Sequence, residues 1–139
     1  MTKRASSKPR REESLSRENI IDASIALLDS GGETALTFRA LAERLATGAG
    51  AIYWHVANKS DLLTAACDAI IARTLNMPRA ETAPQDTIRA LALAMFDAID
   101  GHPWVGSALT QAPGQLPMVR LFERLGQQVR AMGDRKSVV

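Results

Sequence analysis

The sequence predicts an all-α fold. Apolar residues recur at intervals of three and four along every periodic segment, the spacing of one helix face, and no segment alternates apolar and polar residues as a half-buried strand does. The chain of 139 residues is 46% hydrophobic and 23% charged, which is typical of globular rather than disordered proteins. We therefore expect helices packed around a core, in one domain or in two small ones.

The first two helices each have a cap and an apolar face. Ser16 is a suitable N-cap for the first helix, and Gly31 and Gly32 end it because glycine readily adopts the left-handed conformation that closes helices. Thr37 is the expected cap of a short second helix. The apolar residues of the first helix are Ile20, Ile21, Ile25, Leu27 and Leu28, and those of the second are Phe38, Leu41, Ala42 and Leu45.

A turn separates these helices from the third and fourth. Residues 46–50 contain two glycines and predict a tight turn, followed by a third helix of barely two turns that ends near Ala57. Asn58 and Asp61 have the spacing of a capping box and begin a long fourth helix, which ends near Pro78. The buried face of the fourth helix is expected to contain Leu63, Ala66, Cys67, Ile70, Ile71 and Leu75.

Prolines and glycines divide the rest of the chain. Residues 78–84 contain two prolines and predict a linker, and Gly101 with Pro103 ends a fifth helix before a short one over 105–111. We expect apolar residues to be exposed on the fifth and the last helix. The residues at core spacing are Ile88, Leu91, Ala92, Met95, Phe96 and Ile99 in the fifth helix, and Met118, Leu121, Phe122, Leu125, Val129 and Met132 in the last.

Composition excludes several classes of protein. Cys67 is the only cysteine, so an internal disulfide is impossible and a reducing, cytoplasmic location is expected; its place on an apolar helix face favours a buried, inert thiol. No apolar run approaches the ~20 residues that cross a bilayer, and Glu12 and Glu13 stand where a signal peptide would be apolar. His55 and His102 lie far apart, and metal-ligand spacings and glycine-rich phosphate loops are absent. We expect no enzyme, no metal site, no cofactor and no membrane partner.

Positive charge is concentrated at the amino terminus. The net charge is only +2, so a nucleic-acid signal has to be local. Residues 1–15 are expected to form a disordered basic arm, which either stays solvated or binds phosphates and the minor groove. Its cations are Lys3, Arg4, Lys8, Arg10 and Arg11.

The order of the first three helices has a functional interpretation. A long helix, a short helix, a glycine-containing turn and a short polar and aromatic helix follow one another as in a helix-turn-helix. In that motif the second helix braces against the DNA backbone and the third fits the major groove. A plain three-helix bundle has the same order, so this pattern alone leaves both interpretations open.

Residues 36–63, LTFRALAERLATGAGAIYWHVANKSDLL, resemble the tetracycline repressor (TetR) family of bacterial transcription regulators, most specifically in IYWHVANK over 52–59. The resemblance implies a three-helix DNA-binding domain over 16–62. The long fourth helix would join it to a helical ligand-sensing and dimerisation domain, of which residues 63–133 are an incomplete part. The implied function is a sequence-specific transcription regulator, a repressor released from its double-stranded DNA operator by a small-molecule effector. The alternative is a helical protein-interaction module that does not bind DNA.

The second and third helices supply several of the expected DNA contacts. Thr37 has a hydroxyl suited to a phosphate, or is an ordinary cap, and Arg39 approaches the groove, as the resemblance implies, or stays solvated. Tyr53 and His55 can donate to phosphates, whereas Trp54 either packs in the core or contacts the groove edge. Ile52 and Val56, which precede and follow these three residues, are expected to face inward.

The remaining expected contacts lie on either side of the third helix. Lys59 starts the fourth helix, where the helix dipole disfavours a cation, and the resemblance implies that it binds a phosphate. The groove-facing positions are Gly48, Ala49, Gly50 and Ala51. Because alanine offers only a methyl group and glycine only backbone, we expect thin base readout, a close approach to the duplex, and specificity from Arg39, the arm and DNA shape.

The second half of the chain predicts a sensor domain in outline only. An apolar effector pocket would be lined by Met95, Phe96, Trp104, Met118 and Phe122, which are otherwise core residues. A homodimer is expected for the complete protein, because two recognition helices must reach half-sites ~34–36 Å apart; the helices that pair in the family are not expected in this chain. Asp134–Val139 resemble the translation of a sequencing adapter, so we expect a non-native tail and a natural protein that continues past Gly133.

Overall fold

The structure, a computed structural model, describes residues 15–76, 83–111 and 116–138, and every regular element in these ranges is helical. The all-α prediction is therefore confirmed. The elements are α1 (Arg17–Gly31), a 3₁₀ turn (Glu33–Ala35), α2 (Phe38–Arg44), α3 (Ala49–Ile52), α4 (Lys59–Leu75), α5 (Pro84–Gly101), α6 (Pro103–Gln111) and α7 (Leu116–Val138). The predicted arm before Leu15, most of the predicted linker and the side chains of the predicted tail lie outside the described residues.

The chain divides between Ala66 and Cys67 into two compact units, so α4 contributes residues to both. In the first unit α1 packs against the 3₁₀ turn and α2, and α2 packs against α3. In the second unit α5 packs against α6 and α7. Large, fully buried side chains form the core of each unit: Ile20, Leu28, Leu36, Leu41, Ile52 and Leu62 in the first, and Ile71, Leu91 and Val105 in the second.

All three predicted helix caps are present. The Ser16 hydroxyl accepts a hydrogen bond from the Asn19 amide at 3.1 Å, and the Thr37 hydroxyl accepts one from the Ala40 amide at 3.0 Å. Asn58 Oδ1 accepts from the amide of Asp61 at 2.9 Å. These bonds satisfy amides that have no partner within their own helix, so each helix begins where its sequence predicts.

A turn is present where the sequence predicts one, and the third helix is shorter than predicted. The left-handed residue in the turn is Ala46, with φ 53°, whereas Gly48 has φ −89°. The third helix has four residues rather than two turns, because the His55 amide bonds back to the Ile52 carbonyl at 2.9 Å and closes a tighter turn over 53–55. We call residues 53–55 the aromatic turn.

The apolar faces of α4 and α5 also differ in detail. Leu62 is buried in α4, whereas the predicted Leu63 is half-buried. In α5 Leu91 and Met95 fill the buried face, and Phe96 is 68% exposed because the six predicted positions span more of the helix circumference than its neighbours cover. The predicted linker ends before Pro84, which is the first residue of α5.

Several large apolar side chains of α5 and α7 are exposed, as the sequence predicts for these two helices. They are Leu93 and Phe96 on α5, and Val119, Phe122 and Val129 on α7. None of the described helices is both long enough and apolar enough to cross a membrane.

Candidate nucleic-acid interface

The aromatic turn is presented outward by two buried residues on either side of it. Ile52 is fully buried and Val56 is 4% exposed, so both face inward as predicted. Between them, Trp54 is 89% exposed and His55 is also exposed. The core-packing alternative for Trp54 is therefore wrong. The chain places three polar or amphipathic side chains in solvent on a short, anchored turn.

Tyr53 is supported by an aromatic partner from α2. Its ring stacks on Phe38 with the centroids 4.2 Å apart and the planes 13° from parallel. About half of Tyr53 remains exposed. Among the described residues the phenol hydroxyl has no hydrogen-bond partner, so it is available to donate to a ligand. Phe38 is half-buried: one part of its ring is covered by the protein, and Tyr53 stacks on it.

Arg39 lies on the solvent side of α2. Its side chain is 92% exposed, and its Nε is 3.6 Å from the Glu43 carboxylate one turn away. An exposed pair at this spacing contributes little to stability, so the guanidinium can leave it for a phosphate or a base edge at small cost. Thr37, at the start of the same helix, is exposed as well.

The backbone of α3 is open to solvent at its glycines. A Cβ atom built on Gly48 or on Gly50 would meet nothing within 4 Å, and neither residue has a positive φ. The fold therefore does not require glycine at these two positions. Ala49 and Ala51 are half-buried, and with the glycines they give α3 a surface without long side chains.

Lys59 is the first residue of α4 and is exposed. The helix start is already capped, because Asn58 accepts from the Asp61 amide and Asp61 Oδ2 accepts from the Ala57 amide at 3.2 Å. Lys59 is not needed for this cap, which leaves its ammonium group free to bind an anion from solvent.

The sequence did not reveal the part that Arg17 plays near this surface. Its Nη1 donates a hydrogen bond to the backbone carbonyl of His55 at 3.0 Å, across 38 residues of sequence. Arg17 belongs to α1, so this bond connects the aromatic turn to the longest helix of the first unit. Periodicity cannot show a contact of this kind, because it depends on how α1 packs.

The second unit contains a cavity of about 570 Å³ between α4, α5 and the residue that links α5 to α6. None of the five residues expected to form an effector pocket lines it. Met95 and Trp104 are buried, Met118 is half-buried, and Phe96 and Phe122 are exposed. The lining residues are Ile70, Arg73, Thr74, Ala94, Asp97, Ala98, Gly101 and His102.

Cys67 is buried, as predicted. Burial, with a smaller contribution from the Asp68 carboxylate, raises the pKa of its thiol from 9.0 to about 11. The thiol therefore stays protonated at neutral pH, and a thiolate would be needed for nucleophilic chemistry. Among the described residues no group of His, Cys, Asp and Glu side chains is arranged to hold a metal ion.

Comparison with known proteins places this arrangement in a family. Residues 20–66 match the profile of bacterial regulatory proteins of the tetR family. The crystal structure of Mycobacterium smegmatis BioQ is 33% identical, with a TM-score of 0.68, over 84% of this chain and 68% of that one. This chain belongs to the TetR family. BioQ with its natural double-stranded DNA operator is also similar, at 35% identity and a TM-score of 0.66 over 70% of that chain.

Other members of the TetR family are similar over shorter shares of their length. A TetR transcriptional regulator from Streptomyces coelicolor is 48% identical with a TM-score of 0.80, over 85% of this chain and 60% of that one. An HTH-type transcriptional regulator from Saccharopolyspora erythraea is 34% identical over 71% of this chain and 42% of its own length. The class D tetracycline repressor of Escherichia coli is 38% identical over 61% and 40%. This TetR-family chain thus spans about two fifths of these two curated relatives.

Proposed function

We propose that this chain is the DNA-binding part, with part of the regulatory domain, of a sequence-specific transcription regulator. The observation that carries the proposal is the aromatic turn, whose side chains are exposed while Ile52 and Val56 hold its two ends in the core. A globular protein gains nothing in stability from an 89% exposed tryptophan. A DNA surface would cover it, and the operator complex of the similar protein BioQ supports this choice of partner.

Different residues of the interface would have different roles on DNA. Thr37, Tyr53, His55 and Lys59 offer hydroxyl, imidazole and ammonium donors for phosphates, which fix the register of the protein on the duplex. These contacts carry no sequence information by themselves. Trp54 would lie against the groove edge, where its apolar ring is removed from water.

Base recognition would come from α2 and α3. Arg39 is the long exposed side chain able to reach a guanine edge. The methyl groups of Ala49 and Ala51 can contact thymine methyl groups, while Gly48 and Gly50 let the backbone of α3 lie close to the bases. Direct readout is then limited, and DNA shape and the basic arm over 1–15 add to specificity.

Binding-site selection from a random duplex library tests this proposal. We expect enrichment of a short motif with few strongly defined positions. A long, sharply defined motif that depends on residues 48–51 would contradict the limited readout. Recovery of no DNA at all would favour the alternative, a helical protein-interaction module.

The regulatory part of the proposal concerns residues 63–133, most of which lie in the second unit, as part of a ligand-sensing domain in a cytoplasmic homodimer. The cavity of about 570 Å³ has the size of a small-molecule site, and tetracycline repressors are among the similar proteins. We propose that an effector binds there and releases the protein, acting as a repressor, from its operator. Its walls combine apolar side chains with Arg73, Asp97 and His102, which suits an apolar ligand with a few polar groups.

A variant that fills the cavity tests the effector site. Ala98→Trp places a large ring in the cavity, and we expect DNA binding to persist while small molecules that release the wild-type protein lose their effect. Retention of the full response in Ala98→Trp would place the effector elsewhere.

A further inference from the structure

The hydrogen bond between Arg17 and His55 joins two segments that are remote in sequence. Arg17 is the first residue of α1, and its Nη1 lies 3.0 Å from the carbonyl oxygen of His55. The donor is a guanidinium, so the bond is charge-assisted and stronger than one between neutral groups. Its acceptor is a backbone atom of the aromatic turn rather than a side chain, so it constrains the path of the chain itself.

The other restraints on the aromatic turn act on its amides, on its two buried neighbours and on the Tyr53 ring, including a hydrogen bond from the Tyr53 amide to the Ala49 carbonyl at 3.3 Å. α3 ends at Ile52, and after it the amides of His55 and Val56 bond back to the Ile52 carbonyl at 2.9 and 3.2 Å. The carbonyl of His55 lies beyond the helix and takes its hydrogen from Arg17. Among the side chains of the turn, Tyr53 stacks on Phe38, whereas Trp54 is almost fully exposed to solvent.

The other end of the bond is well fixed. The Ser16 hydroxyl accepts from the Asn19 amide at 3.1 Å, and the Ser16 carbonyl accepts from the Ile20 amide at 3.0 Å. Ile20 is fully buried. The first turn of α1 is thus tied to the core, and a group that donates from it can hold a neighbouring segment in place.

We propose that Arg17 is a positioning residue for DNA binding: it fixes the aromatic turn through the His55 carbonyl, and it does not itself neutralise a phosphate. This inference rests on the proposed function. It assigns to α1 a part in setting the orientation of Tyr53 and His55 toward phosphates. The role is distinct from that of Arg39 and Lys59, whose charges would face the DNA.

Salt dependence separates the two roles. Each phosphate neutralised by a cation contributes about −0.9 to the slope of log affinity against log salt, whereas neutral donors contribute nothing to it. Loss of Arg17 should weaken binding about tenfold at every salt concentration and with an unchanged slope, because a turn that is no longer held has to be ordered when DNA binds. Arg17→Lys keeps the charge but replaces the planar donor, so it should show part of the same loss.

The experiment measures DNA affinity over a salt series and amide hydrogen exchange of the DNA-free protein, for wild type, Arg17→Ala, Arg17→Lys and two controls. Arg44→Ala removes an exposed arginine from the last turn of α2 and should change neither the affinity by more than about twofold nor the exchange. Lys59→Gln removes a cation assigned to a phosphate and should make the slope shallower by about 0.9. In Arg17→Ala we expect faster exchange over residues 53–56 and unchanged exchange in the rest of the first unit, with the urea midpoint lowered by no more than the loss of one solvent-exposed hydrogen bond.

Two results would overturn the positioning role. One is a slope shallower by about 0.9 with unchanged exchange, which would make Arg17 a direct phosphate ligand. The other is unchanged exchange together with unchanged affinity. Failure of the wild type to bind DNA would refute the proposed function instead, and the exchange measurement on the free protein would still decide whether Arg17 holds the turn.

Discussion

Replacing Gly50 by alanine should stabilise the protein and weaken its binding to DNA. Gly50 is the second residue of α3, its φ is not positive, and a Cβ atom placed on it meets nothing within 4 Å. Alanine is favoured over glycine inside a helix by roughly 0.5–1 kcal/mol. Because α3 has only four residues, we expect the lower end of that range, a gain of about 0.5 kcal/mol in the free energy of unfolding.

The loss of DNA affinity follows from the same open surface. If the backbone of α3 lies against the bases, an added methyl group must push the duplex away from Tyr53, His55 and Lys59 together. Weakening of two or three phosphate contacts at once should lower the affinity at least tenfold, which corresponds to about 1.4 kcal/mol. Stability and affinity would therefore change in opposite directions, a combination that general damage to the fold cannot produce.

Urea unfolding and fluorescence anisotropy with a labelled duplex measure the two effects. Gly126→Ala is the matched control, since Gly126 lies in α7 with nothing within 4 Å of a built Cβ atom and is outside the candidate interface. The control should gain stability without losing affinity. Wild-type affinity in Gly50→Ala would refute the close approach of α3, and a loss of stability would refute the open geometry around Gly50.

Three further predictions concern single groups. Tyr53→Phe keeps the stack on Phe38, so it should change the free energy of unfolding by less than about 0.5 kcal/mol and yet weaken DNA binding five- to tenfold. Tyr53→Ala also loses the stack and should lower the free energy of unfolding in urea by about 1 kcal/mol. Equal affinities of wild type and Tyr53→Phe would exclude the hydroxyl contact. Ala46→Gly should raise the free energy of unfolding in urea by up to about 1 kcal/mol, because Ala46 has φ 53° and is exposed. A lower free energy of unfolding would show that the left-handed conformation is not strained. Cys67, with its pKa raised to about 11, should not react with a thiol reagent at pH 8 until the protein unfolds. The thiol of the unfolded chain ionises at a lower pH than the buried thiol, so the free energy of unfolding should fall as the pH rises from about 9 towards 11. Cys67→Ala should lose less stability over that range, and identical pH profiles of the two proteins would contradict the raised pKa.

Local signals in the sequence predicted the helices well. Ser16, Thr37 and Asn58 each cap the helix that they were expected to start, because a cap depends only on residues three positions away. The burial of Ile52 and Val56 was also predicted correctly, although α3 ends at Ile52 and Val56 lies beyond it. The caps depend on residues that are close together in the sequence, and a sequence pattern shows such residues directly.

Features that depend on contacts between remote segments were not predictable. The stack of Tyr53 on Phe38 and the bond from Arg17 to His55 each require a particular packing of separate helices. The sequence predicted a turn over 46–50 but not that Ala46 is its left-handed residue, because alanine carries no preference for that conformation.

The candidate site could be predicted only in part for a related reason. Trp54 fits a core and a surface equally well on composition, and its exposure of 89% decides between them. The cavity in the second unit is lined mostly by small and polar residues, whereas the predicted effector pocket consisted of large apolar side chains.

Whether this surface binds DNA is tested by the salt dependence of DNA binding, measured for the wild-type chain and for Lys59→Gln. We expect the wild type to bind duplex DNA, and log affinity to fall with log salt with a slope of about −0.9 for each phosphate neutralised. Lys59→Gln should bind more weakly on every sequence, with a slope shallower by about 0.9. Wild-type affinity that is absent, or that does not change between low and high salt, would contradict the assignment of this surface to DNA.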